Sequence, residues 1–187
     1  MTAALESSDL ATILAQALAE QTLLLQQILA RLDRPQLGFH DGAGAMRVYA
    51  NRSNGGLWYT VVDNQVQLIP HTALTGYLTD ISFPKVERRG KECIKLQITL
   101  QGDRPYLIEA GHDSHFSKGF LSAVALLIPA QVQTPVTISP QAGEDDSVLF
   151  CRLFSGGQLV KASYDDETDW RLVAKAAIAA VRNGQPH

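Results

Sequence analysis

The chain is poor in the residues that most often carry chemistry. Its 187 residues include two cysteines, two tryptophans and two methionines, and aromatic residues make up 7%. Cys93 and Cys151 lie far apart, each inside an expected strand. They read as buried free thiols of a reducing compartment, with a disulfide between them as the alternative. There is no surplus of positive charge: the net charge is −3. A global basic field that gathers polyanions is therefore excluded, and any hold on nucleic acid has to rest on segregated charge. No apolar run approaches the length of a membrane span. The N-terminus opens with Glu6, Ser7, Ser8 and Asp9, without a basic flank or a cleavage site. It does not read as a signal peptide, and a cytoplasmic location is expected. Neither a phosphate-binding loop nor a dinucleotide fingerprint is present, so no cofactor is expected.

What remains is ordinary globular material, 45% hydrophobic and 19% charged. The length suits one domain with appendages or two small ones. The pattern predicts an α+β chain, mainly β, in four parts: residues 1–34, 35–70, 71–162 and 163–187.

The first part reads as a helix from about Ser8 to Asp33. Leu14, Leu18, Gln21, Leu25, Ile28 and Leu32 recur in steps of four and three, an a/d heptad stripe broken once by Gln21. Leu10, Ala17 and Leu24 widen the face. Ser7 or Ser8 caps the start, and Asp33-Arg34-Pro35 stops the end. A homo-oligomer through this helix is expected, with docking on a partner or on its own domain as the alternatives.

A glycine-rich linker leads to a β-meander. Strands Met46–Arg52 and Leu57–Val62 flank Ser53-Asn54-Gly55-Gly56, and Asp63-Asn64 turns into Gln65–Ile69. It reads either as a separate small sheet or as extra strands laid against the third part of the chain.

Residues 71–162 read as five strands with a helix between the third and the fourth. The strands are Thr72–Phe83, Glu92–Gln101, Pro105–Ala110, Thr134–Ser139 and Ser147–Phe154. Gly76 marks a bend in the first, and Pro84 to Gly90 reads as a basic loop. In the second, Ile94, Leu96, Ile98 and Leu100 alternate with Lys95, Gln97, Thr99 and Gln101, giving one buried and one wet face. Asp113 or Ser114 caps the helix, which Pro129 ends. Gly156-Gly157 turns towards Gln158–Ala162, and a last helix runs from Trp170 to Arg182, capped by Thr168 or Asp166.

Three strands, a helix and two strands is the order of a small closed barrel of the OB type. The stretches Leu74-Thr75-Gly76-Tyr77-Leu78, Ile94-Lys95-Leu96-Gln97-Ile98 and Tyr106-Leu107-Ile108-Glu109-Ala110-Gly111, followed by the helix, carry a resemblance. With the two closing strands it covers about half the chain, and it is to OB-fold single-stranded DNA-binding proteins of the bacterial type. It is one of pattern and topology. It implies a five-stranded barrel and binding of single-stranded nucleic acid. The chain departs from that family at its end, Asn183-Gly184-Gln185-Pro186-His187, where the family carries an acidic tail with an apolar tip. The heptad helix has no counterpart there.

Single-strand binding needs cations for phosphates and flat faces for bases. The candidate cations are Lys85, Arg88, Arg89 and Lys91 of the basic loop, Lys95 with Gln97 beside it, and Arg104 and Lys118. Candidate stacking residues are Tyr77, Phe83 and Tyr106, with Trp58 and Tyr59 of the meander. In the fifth strand Phe150, Arg152 and Phe154 share a face, opposite Leu149, Cys151 and Leu153. Each has a plainer reading: the loop as a solvated hairpin tip, the rings as core or as packing beneath a helix. His112, Asp113 and His115 lack further ligands at sensible spacing, so no metal site is expected. The acidic runs Glu144-Asp145-Asp146 and Asp165-Asp166-Glu167 read as solvated loops that repel phosphate near the fourth and fifth strands and confine nucleic acid to the opposite side. The expectation is a non-enzymatic protein that binds single-stranded DNA in replication, recombination or repair, with an oligomeric adaptor as the alternative.

Overall fold

The computed structural model describes residues 3–32, 44–88 and 90–185. The chain divides into two compact units, Met1–Gly42 and Ala43–His187. In the first, helix α1 spans Ala3–Leu32, starting before the expected serine caps. Thr22 Oγ1 donates to the Leu18 carbonyl at 2.8 Å, a back-bond that spares the threonine hydroxyl within the helix.

The second unit holds ten strands in one sheet: β1 Met46–Tyr49, β2 Tyr59–Val62, β3 Gln65–Leu68, β4 Leu74–Ser82, β5 Lys85–Arg88, β6 Lys91–Gln101, β7 Pro105–Gly111, β8 Val136–Ala142, β9 Leu149–Ser155 and β10 Gln158–Leu159. Its helices are α2 His115–Val124, α3 Pro129–Val132 and α4 Trp170–Gly184. The sheet order is β10-β9-β8-β4-β6-β7-β1-β2-β3, with β5 paired to β6 alongside. The basic loop is thus mostly strand: Lys85 to Arg88 hydrogen-bond against Ile94 to Lys91.

A closed five-stranded barrel is not what forms. The strands expected as third, second, first, fourth and fifth do lie in that order, β7-β6-β4-β8-β9. Closure would require β7 to pair β9. However, the outer edge of β7 is taken by β1, parallel to it from Met46 opposite Tyr106 to Tyr49 opposite Glu109. The meander therefore joins the sheet and blocks its closure. On the other side α2 packs against β9. Gly119 makes this approach possible: a Cβ there would stand 3.0 Å from the Cys151 carbonyl oxygen.

Local chemistry explains most of the elements. Asp63 and Asn64 adopt positive φ of 48° and 64°, the two-residue turn that joins β2 to β3. In β6, Leu96, Ile98 and Leu100 are fully buried while Gln101 is exposed and Lys95, Gln97 and Thr99 are half-buried. The register shifts between Leu78 and Asp80 where β4 meets β6, the bulge that Gly76 heralds two residues earlier. Ser114 caps α2 by accepting from Ser117 N. The expected continuation of that helix to Ile128 stops at Val124, and Pro129 opens α3 rather than ending a helix. Asp169, not Thr168 or Asp166, caps α4 through Arg171 N and Leu172 N. Phe116, Phe120 and Val124 of α2 join Ile98, Ile108 and Ile138 of the sheet in one core.

Candidate functional site

Register sorts the expected site residues by face. The outer face of β6 carries Lys95, Gln97, Thr99 and Gln101 along about 20 Å, six residues at about 3.4 Å each. Across β4, Tyr77 stands opposite Gln101 and is 50% exposed. Across β7, Gln97 faces Glu109, whose buried carboxylate lies 3.4 Å from Arg47 of β1. Next to them the Tyr49 and Tyr59 rings stack with centroids 5.1 Å apart.

At Lys95 this face runs into a hollow of about 510 Å³ between β6, β7 and the start of α2. Lys95, Asn51, Ser53, Ser114 and His115 line it. His115 also borders a second hollow of about 250 Å³, lined by Phe150, Arg152, Lys161 and Tyr164. The His115 and Phe150 rings meet at 5.3 Å between the two. β9 alternates as expected: Leu149 and Leu153 are buried, Phe150 and Arg152 are exposed. Burial pushes the Cys151 thiol well above its ordinary range, which favours the neutral thiol. Both cysteines are free.

The remaining candidates fall elsewhere. Tyr106 lies on the buried side of the sheet beside Trp58, lining an apolar hollow of about 120 Å³. Its hydroxyl donates to Asp103 at 2.6 Å, which holds that carboxyl below its usual range. Trp58 donates to the His71 carbonyl at 2.6 Å and is 2% exposed, a core ring and not a stacking platform. Phe83 packs on the core and shares a hollow with Lys118, Trp170 and Arg171. Lys118 is held by Asp113 at 2.9 Å and lies over the Trp170 ring. Lys85 is paired to Glu92 at 2.6 Å, and Arg104 stands 3.8 Å from Asp103. Phe154 is half-buried beside Leu159. Arg88 pairs with Lys91 in backbone register, and Arg89 lies outside the described residues.

The run from His112 to His115 does not converge on one point. His112 Nδ1 meets the Ile94 carbonyl at 3.0 Å, Asp113 turns to Lys118, Ser114 caps α2 and His115 packs on Phe150. Among the described residues no group of three His, Cys, Asp or Glu side chains could hold a metal ion. The acidic loop at the rim is tied down. Arg52 reaches Asp146 at 3.1 Å, and Asp145 accepts from Ser147 N and Oγ at 2.7 Å each. Those bonds hold the Asp145 carboxyl below the usual carboxylate range, so it stays charged at the edge of the hollow.

Of the sixteen expected residues, the structure brings Lys95, Phe150 and Arg152 to the paired hollows, and keeps Gln97 and Tyr77 on the adjoining face. Reasoning from sequence missed Lys161, Tyr164, Asn51 and Ser53, and considered His115 as a metal ligand or a catalytic histidine and not as a ring beside Phe150. Cations here lie beside aromatic rings. Among the described residues, no helix is long and apolar enough to cross a membrane. No family model, curated protein or solved structure matches the chain.

Proposed function

We propose that the protein is a non-enzymatic single-strand binder with an OB-type core opened by an inserted strand. It would hold single-stranded DNA with little sequence preference, in replication, recombination or repair. The observation that carries this reading is the His115–Phe150 ring pair flanked by Lys95 on one side and Arg152 on the other. Phosphates run past the cations and bases stack on the rings. The strand order β7-β6-β4-β8-β9, with α2 between the third and fourth strands, supports the OB-type assignment. The overall charge of −3 restricts contact to this track, so duplex DNA, which needs a broad cationic surface, is bound weakly.

Fluorescence anisotropy of labelled oligo-dT and of a duplex of equal length is the test. Saturable binding of the single strand, weakened by salt and at least tenfold tighter than the duplex, is expected. Equal affinities, or none, reject the reading.

A second reading is an oligomeric adaptor in which the core is only a scaffold. It is favoured by exposed apolar side chains on the terminal hairpin, where Val61, Val62, Val66 and Leu68 are 42–53% exposed. Among the described residues, strand β3 ends the sheet with an unpaired edge, the kind of surface that accepts a partner's strand. This reading predicts a protein partner and no effect of oligo-dT.

A further inference from the structure

We infer that the hollow between α2 and α4 is a second binding site, one that takes a small aromatic carboxylate. The inference goes beyond the nucleic-acid reading and does not rest on it. The hollow measures about 530 Å³, within the range of small-molecule sites. Helical spacing builds two of its walls. Lys118 and Leu121 stand three apart on α2, and Trp170 and Ala174 stand four apart on α4, with Arg171 beside them. Phe83 follows β4, Ile94 comes from β6, and His112 and Asp113 lie between β7 and α2.

Apolar surface left in water is the first property that selects the occupant. Phe83, Trp170 and Ala174 are only half-buried and Ile94 is 38% exposed, although all four line one concavity. A ligand ring seated there covers these surfaces together and gains ring contacts with Phe83 and Trp170. The indole wall is already set. The Tyr164 ring meets Trp170 edge-on with centroids 5.1 Å apart, and Lys118 Nζ stands 5.4 Å from the Trp170 centroid.

Charge is the second. Lys118 is committed to Asp113 at 2.9 Å, a bond that holds the Asp113 carboxyl below the usual carboxylate range. His112 is turned to the Ile94 carbonyl. The nearby Asp169 carboxylate is taken by the backbone N–H groups of Arg171 and Leu172. Among the described residues, no carboxylate pairs with the Arg171 guanidinium. Arg171 is therefore the cation left to hold a ligand, and its planar fork matches a carboxylate. Lys118, Arg171 and Asp113 together leave one net positive charge in the lining. That complements a monoanion, whereas a phosphate monoester brings about −1.5 to −2 to a site that already holds Asp113.

Titration of the full chain with 4-phenylbutyrate, followed by calorimetry and by the tryptophan indole N–H signals in NMR, tests this. The chain has two tryptophans, and Trp170→Phe identifies which signal is which. Saturable binding with a dissociation constant below about 1 mM is expected. It should move the Trp170 signal and leave that of Trp58, which is bonded to the His71 carbonyl in the core. The neutral 4-phenylbutanamide should bind about tenfold more weakly, and Arg171→Gln should abolish that preference for the acid. No saturable binding of the acid overturns the site. Equal affinities for acid and amide on the natural chain overturn the charge argument, whether or not the variant folds. A preference that survives Arg171→Gln overturns Arg171 as its source. Movement confined to the Trp58 signal overturns the location, and tighter binding of deoxythymidine monophosphate overturns the ligand class. No oligonucleotide strand is present, so the oligo-dT titration reports on the groove separately.

Discussion

Replacing Lys95 and Arg152 together by alanine is expected to weaken oligo-dT binding about 25-fold at 0.1 M salt. Each phosphate contact contributes about 0.7 to the slope of log affinity against log salt, so losing two flattens it by about 1.4. Referred to 1 M salt, that slope gives the stated loss at 0.1 M. Both side chains lie at the surface of hollows and carry no core packing, with Arg152 exposed and Lys95 half-buried, so the fold is preserved. Phe150→Ala is the complementary change. Stacking is worth about 1–3 kcal/mol per base, so affinity falls while the salt slope stays the same. Anisotropy titrations at several salt concentrations separate the two effects. A double variant with an unaltered slope would remove these cations from the binding surface.

Phe120→Ala should be strongly destabilising, at about 3–5 kcal/mol. Phe120 is fully buried where α2 meets the sheet. The loss depends on how far the neighbours can collapse into the space. Here α2 cannot settle closer to β9, because Gly119 already stands against the Cys151 backbone. A cavity therefore remains, and the cost falls in the upper part of the range. Total stabilities are about 5–15 kcal/mol, so the change consumes a large share. At about 2–4 °C per kcal/mol for a domain of this size, the melting temperature drops by about 10 °C or more. Calorimetry or thermal circular dichroism measures it. A drop of only a degree or two would mean that α2 is not the element that supports β9.

Local patterns were legible in the chain, and long-range choices were not. The alternation from Ile94 to Leu100 marks β6 almost to the residue, and Asp63-Asn64 marks its turn. The parity of β9 was also readable, since Leu149 and Leu153 are the buried set. The parallel pairing of β1 with β7 was not. It joins residues about sixty apart with no hairpin between them, and parallel pairing leaves no local turn signal. That one pairing decides between a closed barrel and an open sheet. Strand β5 was hidden by its charge: Lys85, Glu87 and Arg88 read as loop residues until β6 supplies their hydrogen bonds. The site shows the same division. Lys95, Phe150 and Arg152 follow from strand parity, but Lys161 and Tyr164 reach the second hollow only through the chain's course after β10. His115 drew attention as a ligand because of its neighbours in sequence, whereas its neighbour in space is Phe150.

Photocrosslinking with an oligo-dT strand carrying 5-iododeoxyuridine, followed by mass spectrometry of the attached peptides, tests the groove most directly. Attachment should concentrate on peptides containing His115, Phe150 and Tyr164 and should be lost on competition with unlabelled oligo-dT. Attachment confined to α1 or to the β2–β3 hairpin, or none that competitor removes, would contradict the account.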